Sequence, residues 1–212
     1  MEEMLIPLMF YGVVSFVYLA VAVIGFLVTF FAFRVYRIIS EKSVRNLSIS
    51  FFILSIGFLV LTAISLFTYI QINFYNSYSG IVVSNYYGFS IYYWLSLAAY
   101  LLLAFTYLPK GKKKSRRLIP ILFVPLWYVD YTQFHLLSLL LIGFVIFRSL
   151  QNSLKRKNLD SYLVTFAFTC LAVFHVLILL TTFTPFMYVV ANSFLIVGFI
   201  SLLAMLVRVS RK

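Results

Sequence analysis

Every lysine and arginine in this chain falls into one of four clusters, and long apolar runs separate the clusters. The first, at 34–45, opens with Arg34 and Arg37, and the second holds Lys110, Lys112, Lys113, Lys114, Arg116 and Arg117. The third holds Arg148, Lys155, Arg156 and Lys157, and the fourth closes the chain at 208–212. Loops rich in Lys and Arg are retained on the cytoplasmic side of a membrane. Each cluster therefore marks a cytoplasmic turn or tail, and each run between two clusters must leave that side and return. Composition supports the bilayer as solvent: 64% of residues are hydrophobic and 10% charged, against roughly half and a quarter in soluble domains. So few polar side chains cannot cover a water-facing surface, whereas lipid asks for apolar helices with internally satisfied backbones.

The formal charge of +12 would suit nucleic acid if it were spread over one face. Its confinement to the ends of apolar runs argues instead for membrane loops and against nucleic-acid binding. Such a basic inner face attracts anionic lipid headgroups, at about 1 kcal/mol per residue near the surface, and offers a docking face for an acidic partner protein. The single cysteine, Cys170, permits no intramolecular disulfide. The opening Met-Glu-Glu-Met lacks the basic start of a signal peptide. The first apolar run is thus expected to persist as a helix, and Glu2 and Glu3 suit an outside N-terminus.

Apolar run length and the charge rule predict an all-α integral membrane fold in one domain, 1–212. Seven helices are expected, at about 5–33, 47–70, 90–108, 118–130, 134–147, 161–180 and 185–207, with the N-terminus outside and the C-terminus inside, in the cell membrane. Ser48, Ser55 and Thr62 recur every seven residues and should face a neighbouring helix. The uncharged segment 71–89, rich in Tyr, Asn and Ser, reads as an outer interfacial loop. Between Arg117 and Arg148 lie about 30 residues whose ends are both basic, fewer than the roughly 40 that two full spans need. A short hairpin of two helices follows, with Pro120 and Pro125 kinking the first. The alternative, one long crossing and six helices in all, would put the last two basic clusters on the side opposite the first two. Val23-Ile24-Gly25-Phe26 echoes Leu141-Ile142-Gly143-Phe144, which raises a parallel repeat of three helices, a linker helix and three more.

Ionisable residues inside a membrane are functional candidates by default, and the spans contain very few. If the 118–147 hairpin is short, Asp130 and His135 sit below the outer surface, and His175, about five residues from the outer end of its predicted helix, lies at comparable depth, with Gln133, Thr181 and Thr182 nearby. Together they form a candidate ligand-binding or proton-relay site at the base of an outward-facing depression. A bland account is also open: Asp130 as a solvated turn residue and each histidine as a hydrogen-bonded side chain. A b-type haem held by His135 and His175 is the least favoured reading, since the two lie on non-adjacent helices and no second pair exists. Asp160 suits an N-cap for the sixth predicted helix, and Asn192 and Ser193 suit interhelical hydrogen bonds. The last predicted helix has no lysine for a retinal Schiff base, and no Pro-Gln dipeptide occurs.

Phe33-Arg34-Val35-Tyr36-Arg37, then 47–51 and Gly57-Phe58, resembles a pattern in small archaeal membrane proteins and in the membrane-sensor regions of some histidine kinases. The likeness covers about the first two helices. It implies sensing or scaffolding through a partner and carries over no catalytic residue. The sequence therefore points to a non-enzymatic sensor-like or binding protein without a cofactor, with a small-solute or proton-coupled transporter as the alternative.

Overall fold

The computed structural model describes residues 10–75, 81–107, 130–181, 183–184 and 186–211. Among them run six helices: α1 (Phe10–Ile39), α2 (Lys42–Asn73), α3 (Ile81–Thr106), α4 (Tyr131–Arg156), α5 (Leu159–Leu180) and α6 (Phe186–Ser210). At 22 to 32 residues and 1.5 Å per residue, they reach about 33 to 48 Å, more than the hydrocarbon thickness of a bilayer. All six are long and apolar enough to cross a membrane, and by that measure the chain is a multi-pass membrane protein. Their outer faces carry exposed large apolar residues such as Phe16, Phe30, Leu140 and Phe147.

The helix directions follow from named contacts. α1 and α2 are antiparallel: Gly12 lies against Tyr69, and the Ser48 hydroxyl donates to Thr29 O at 3.0 Å. α2 and α3 are antiparallel through Thr68 Oγ1, which donates to Asn85 Oδ1 at 2.9 Å, and through Gly57 beside Tyr92 and Ser96. In the second half, α4 and α5 pair His135 with His175 and Ser149 with Thr165. α5 and α6 pair Leu163 with Ser201 and Ala167 with Gly198. Two neighbours run parallel. Tyr93 of α3 stacks on Phe134 of α4 at 4.2 Å, while Tyr107 just past α3 lies beside Ser149 far along α4. Tyr18 of α1 bonds Tyr188 of α6, and Gly25 of α1 lies against Phe199 of α6.

These directions place every described Lys and Arg at one end of the bundle, with Glu41 and Asp160. Asp130 is the one described charged residue at the other end. At the basic end both hairpins turn in two residues. Ser40 and Lys157 each take the left-handed backbone region, at φ 52° and 48°, and each donates its N–H to a carbonyl four residues back. This is a helix-closing geometry.

Several sequence expectations change. The predicted helix at 118–130 and the run Lys110–Arg117 lie outside the described residues, apart from Asp130, which precedes α4 as its cap. The segment 71–89 is largely not a loop, since α2 runs to Asn73 and α3 starts at Ile81. Its polar Asn85 is buried and satisfied by Thr68, which lets a polar stretch be helical inside the bundle. The predicted 134–147 helix extends to Arg156, because Ser149 and Ser153 turn inward to hydroxyl partners on α5. Asn158, not Asp160, caps α5 by accepting Ser161 N–H at 2.9 Å. Asp160 instead pairs with Arg208 at 3.3 Å. Ser193 is exposed and bonds its own helix at Val189 O. Asn192 likewise donates to Tyr188 O within α6. Of the α2 serine face, Ser48 and Ser55 meet α1, while Thr62 bonds Phe58 O of its own helix. The glycine echo is not a structural equivalence. Gly25 is buried against Ser55 and Phe199, whereas a side chain at Gly143 would meet nothing.

Candidate functional site

The buried His135, His175, Asn85 and Asn192 lie in the half of the bundle away from the basic end, while the described buried polar residues toward the basic end are serines. His135 lies one turn into α4, where Asp130 caps the helix by accepting Gln133 N–H at 2.7 Å. The order Asp130-Tyr131-Thr132-Gln133 is the sequence form of a capping box, and it fixes where α4 begins. Phe134, His135, Ser138, Leu141 and Ile142 then fall on the inward face at helical spacing, all buried. His175 sits near the end of α5, wholly enclosed.

The two imidazoles meet. His135 Nδ1 and His175 Nδ1 are 2.8 Å apart, and His175 Nε2 lies 3.1 Å from the Tyr100 hydroxyl of α3. Facing nitrogens at that distance require one to carry hydrogen and the other a lone pair. The row His135–His175–Tyr100 is thus one hydrogen-bonded unit joining three helices. Aromatic rings surround it. Tyr131 and Phe134 have centroids 4.7 and 4.8 Å from His135, and Phe174 and Tyr100 have centroids 5.1 and 5.6 Å from His175. Tyr131 is itself held, donating to Ile178 O at 2.8 Å.

Beside this row lie further buried polar groups. Tyr92, Ser96 and Tyr100 recur every four residues on one face of α3, and all three are buried. The Tyr92 and Ser96 hydroxyls are close neighbours but lie outside hydrogen-bond geometry. Ser138 Oγ and Asn192 Oδ1 also lack a hydrogen-bond partner among the described residues. Tyr18 and Tyr188 bond each other across α1 and α6. An enclosed donor or acceptor without a partner costs about 1–3 kcal/mol, so this concentration marks an interior suited to hydrogen-bonding occupants.

Below the row the described residues of α3, α4 and α5 form an apolar layer. Leu103, Ile142, Phe168 and Leu171 are all at most 1% exposed. They separate the histidines from a second hydroxyl cluster near the basic end, where Thr165 Oγ1 lies 2.8 Å from both Ser149 and Ser153. Ten residues of α5 part His175 from Thr165, about 15 Å of helix.

Of the residues expected at the site, His135 and His175 are brought together. Asp130 is not part of the row: it is exposed, and its carboxylate caps α4. Gln133 is exposed beside it, Thr181 lies 3.4 Å from Tyr131, and Thr182 is outside the described residues. Sequence reasoning missed Tyr100, Tyr131 and the Tyr92–Ser96 pair. The four-residue recurrence on α3 was the available signal. No group of three His, Cys, Asp or Glu that could hold a metal occurs among the described residues. No family model, curated protein or solved structure matches the chain.

Proposed function

We propose that this multi-pass membrane protein is a non-enzymatic sensor or binding protein of the cell membrane, and that its recognition site is the enclosed His135–His175–Tyr100 row with its aromatic lining. The apolar layer of α3–α5 supports this reading: a transporter needs polar groups leading through the bundle, and among the described residues of these helices Leu103, Ile142, Phe168 and Leu171 separate the histidines from the hydroxyl cluster at the basic end. The resemblance of the first two helices to kinase sensor regions points the same way.

In this reading the basic end is cytoplasmic, the N-terminus is outside and the chain crosses seven times. The parallel neighbours α3 and α4 support the seventh crossing, since the end of α3 and the start of α4 lie at opposite ends of the bundle. The matching up–down–up order of α1–α3 and α4–α6, and the paired turns at Ser40 and Lys157, support a repeat of three helices about a linker. Anionic lipid headgroups, or an acidic partner, would meet Arg34, Arg37, Lys155 and Arg211 at the basic end. In this reading the site works without a cofactor, through the direct Nδ1–Nδ1 bond of its two imidazoles.

The test is flux. Purified protein in vesicles loaded with a pH-indicator dye, driven by a potassium diffusion potential, should pass protons no faster than empty vesicles. A flux that His175→Gln abolishes would overturn the sensor reading in favour of a proton-coupled transporter.

A further inference from the structure

The His135–His175 pair has the geometry of a single binding site for one proton. The gap between the facing Nδ1 atoms, at 2.8 Å, holds one hydrogen and no more. The remaining nitrogen of His175 faces Tyr100 Oη at 3.1 Å, and a hydroxyl can donate or accept. In the neutral pair Tyr100 donates to His175 Nε2, and His175 Nδ1–H donates to His135 Nδ1. One added proton, given up by a hydronium ion whose O–H bond breaks to leave water, forms a single new N–H bond at His175 Nε2. The Tyr100 hydroxyl rotates from donor to acceptor, and no other covalent bond breaks. The charge is then shared, because the central hydrogen can sit on either Nδ1. A second added proton has no place in the row.

The row is enclosed by aromatic side chains. Tyr100, Tyr131, Phe134 and Phe174 have ring centroids within 5.6 Å of one imidazole or the other, each in an edge-to-face arrangement. The titratable groups in contact with the pair are Tyr100 on α3 and Tyr131 on α4, and Tyr18, Tyr92, Tyr93 and Tyr188 lie next to one or other of those two. None is a carboxylate. The one described carboxylate at this end, Asp130, is committed to the α4 cap.

We infer that His135 and His175 together bind one proton, shared across their Nδ1 atoms and sensed by Tyr100. This rests on the sensor reading and names its signal: acidification on the side of Asp130. Because these are the two histidines of the whole chain, the test is direct. Full-length protein in nanodiscs, labelled with nitrogen-15 at histidine, is titrated between about pH 8 and pH 4 while proton uptake is counted. The expected result is one proton per chain, with both rings moving together to shifts midway between imidazole and imidazolium. His175→Gln should leave His135 titrating as an isolated ring, and Tyr100→Phe should keep the joint transition but move its midpoint. Two separate transitions, or none, would overturn the proposal. A joint transition accompanied by His175-dependent proton flux would keep the dyad and overturn the sensor reading. No transition and no flux would do the reverse.

Discussion

Replacing His175 with leucine removes two hydrogen bonds at once and fills the space with a side chain of similar size. One bond joins it to His135 Nδ1 at 2.8 Å and the other to Tyr100 Oη at 3.1 Å. Both partners are buried, at 4% and 1% exposure, so neither recovers water. Hydrogen bonds in a membrane protein average about 0.6 kcal/mol each, which sets a lower bound near 1 kcal/mol for the pair. If each stranded group bears the full cost of a buried unpaired donor or acceptor, about 1–3 kcal/mol, the upper bound is about 6 kcal/mol. His135→Leu breaks one of the same bonds. The double variant therefore loses the Nδ1–Nδ1 bond once, not twice, and should be less destabilised than the sum of the singles by about 0.6–3 kcal/mol. Reversible unfolding in bicelles, read for wild type, both singles and the double, measures this coupling. Additive effects, or a neutral His175→Leu, would refute the claim that the imidazoles are bonded to each other.

The glycines give an opposed pair. A Cβ at Gly198 would lie 3.0 Å from Ala167 O and 3.1 Å from Cys170 Cβ, so Gly198→Val should force α5 and α6 apart at a cost of about 1–3 kcal/mol. Gly143→Ala meets open space and should stabilise α4 by up to about 1 kcal/mol in the same assay. At Asp130 the cap and the charge can be separated. Asp130→Asn keeps the bond to Gln133 N–H and should be near neutral in stability, whereas Asp130→Ala should cost about 0.5–2 kcal/mol and leave the histidine coupling intact.

Much of this architecture is legible in the sequence, because run length and charge placement act over whole helices. The convergence of His135 and His175 is anticipated from depth, through a hairpin expected to stop short of the outer surface, although α4 is in fact long enough to cross a membrane. Depth groups Asp130 with them for the same reason. It says nothing about direction, and the local Asp130–Gln133 bond decides where the carboxylate points. The start of α3 is harder to read because Asn85, Tyr86 and Tyr87 look like loop residues. One buried partner, Thr68, is enough to make Asn85 a helix residue. Tyr100 escapes notice because tyrosine is expected at membrane interfaces, although its place amid an apolar run is the sign of a buried hydroxyl with a partner. The extension of α4 through Arg148 depends on Ser149 and Ser153 finding Thr165, a pairing that no local pattern reveals.

A site in the outer half of the membrane, away from a cytoplasmic basic end, requires Asp130 and Asn152, at opposite ends of α4, to face opposite sides of the membrane. In a Cys170→Ser background, Asp130→Cys and Asn152→Cys are each exposed to a membrane-impermeant maleimide, in intact right-side-out vesicles and again after lysis. Asp130→Cys should label in intact vesicles, and Asn152→Cys only after lysis. Labelling of both under the same condition would contradict a membrane-crossing α4 and a site in the outer half of the membrane.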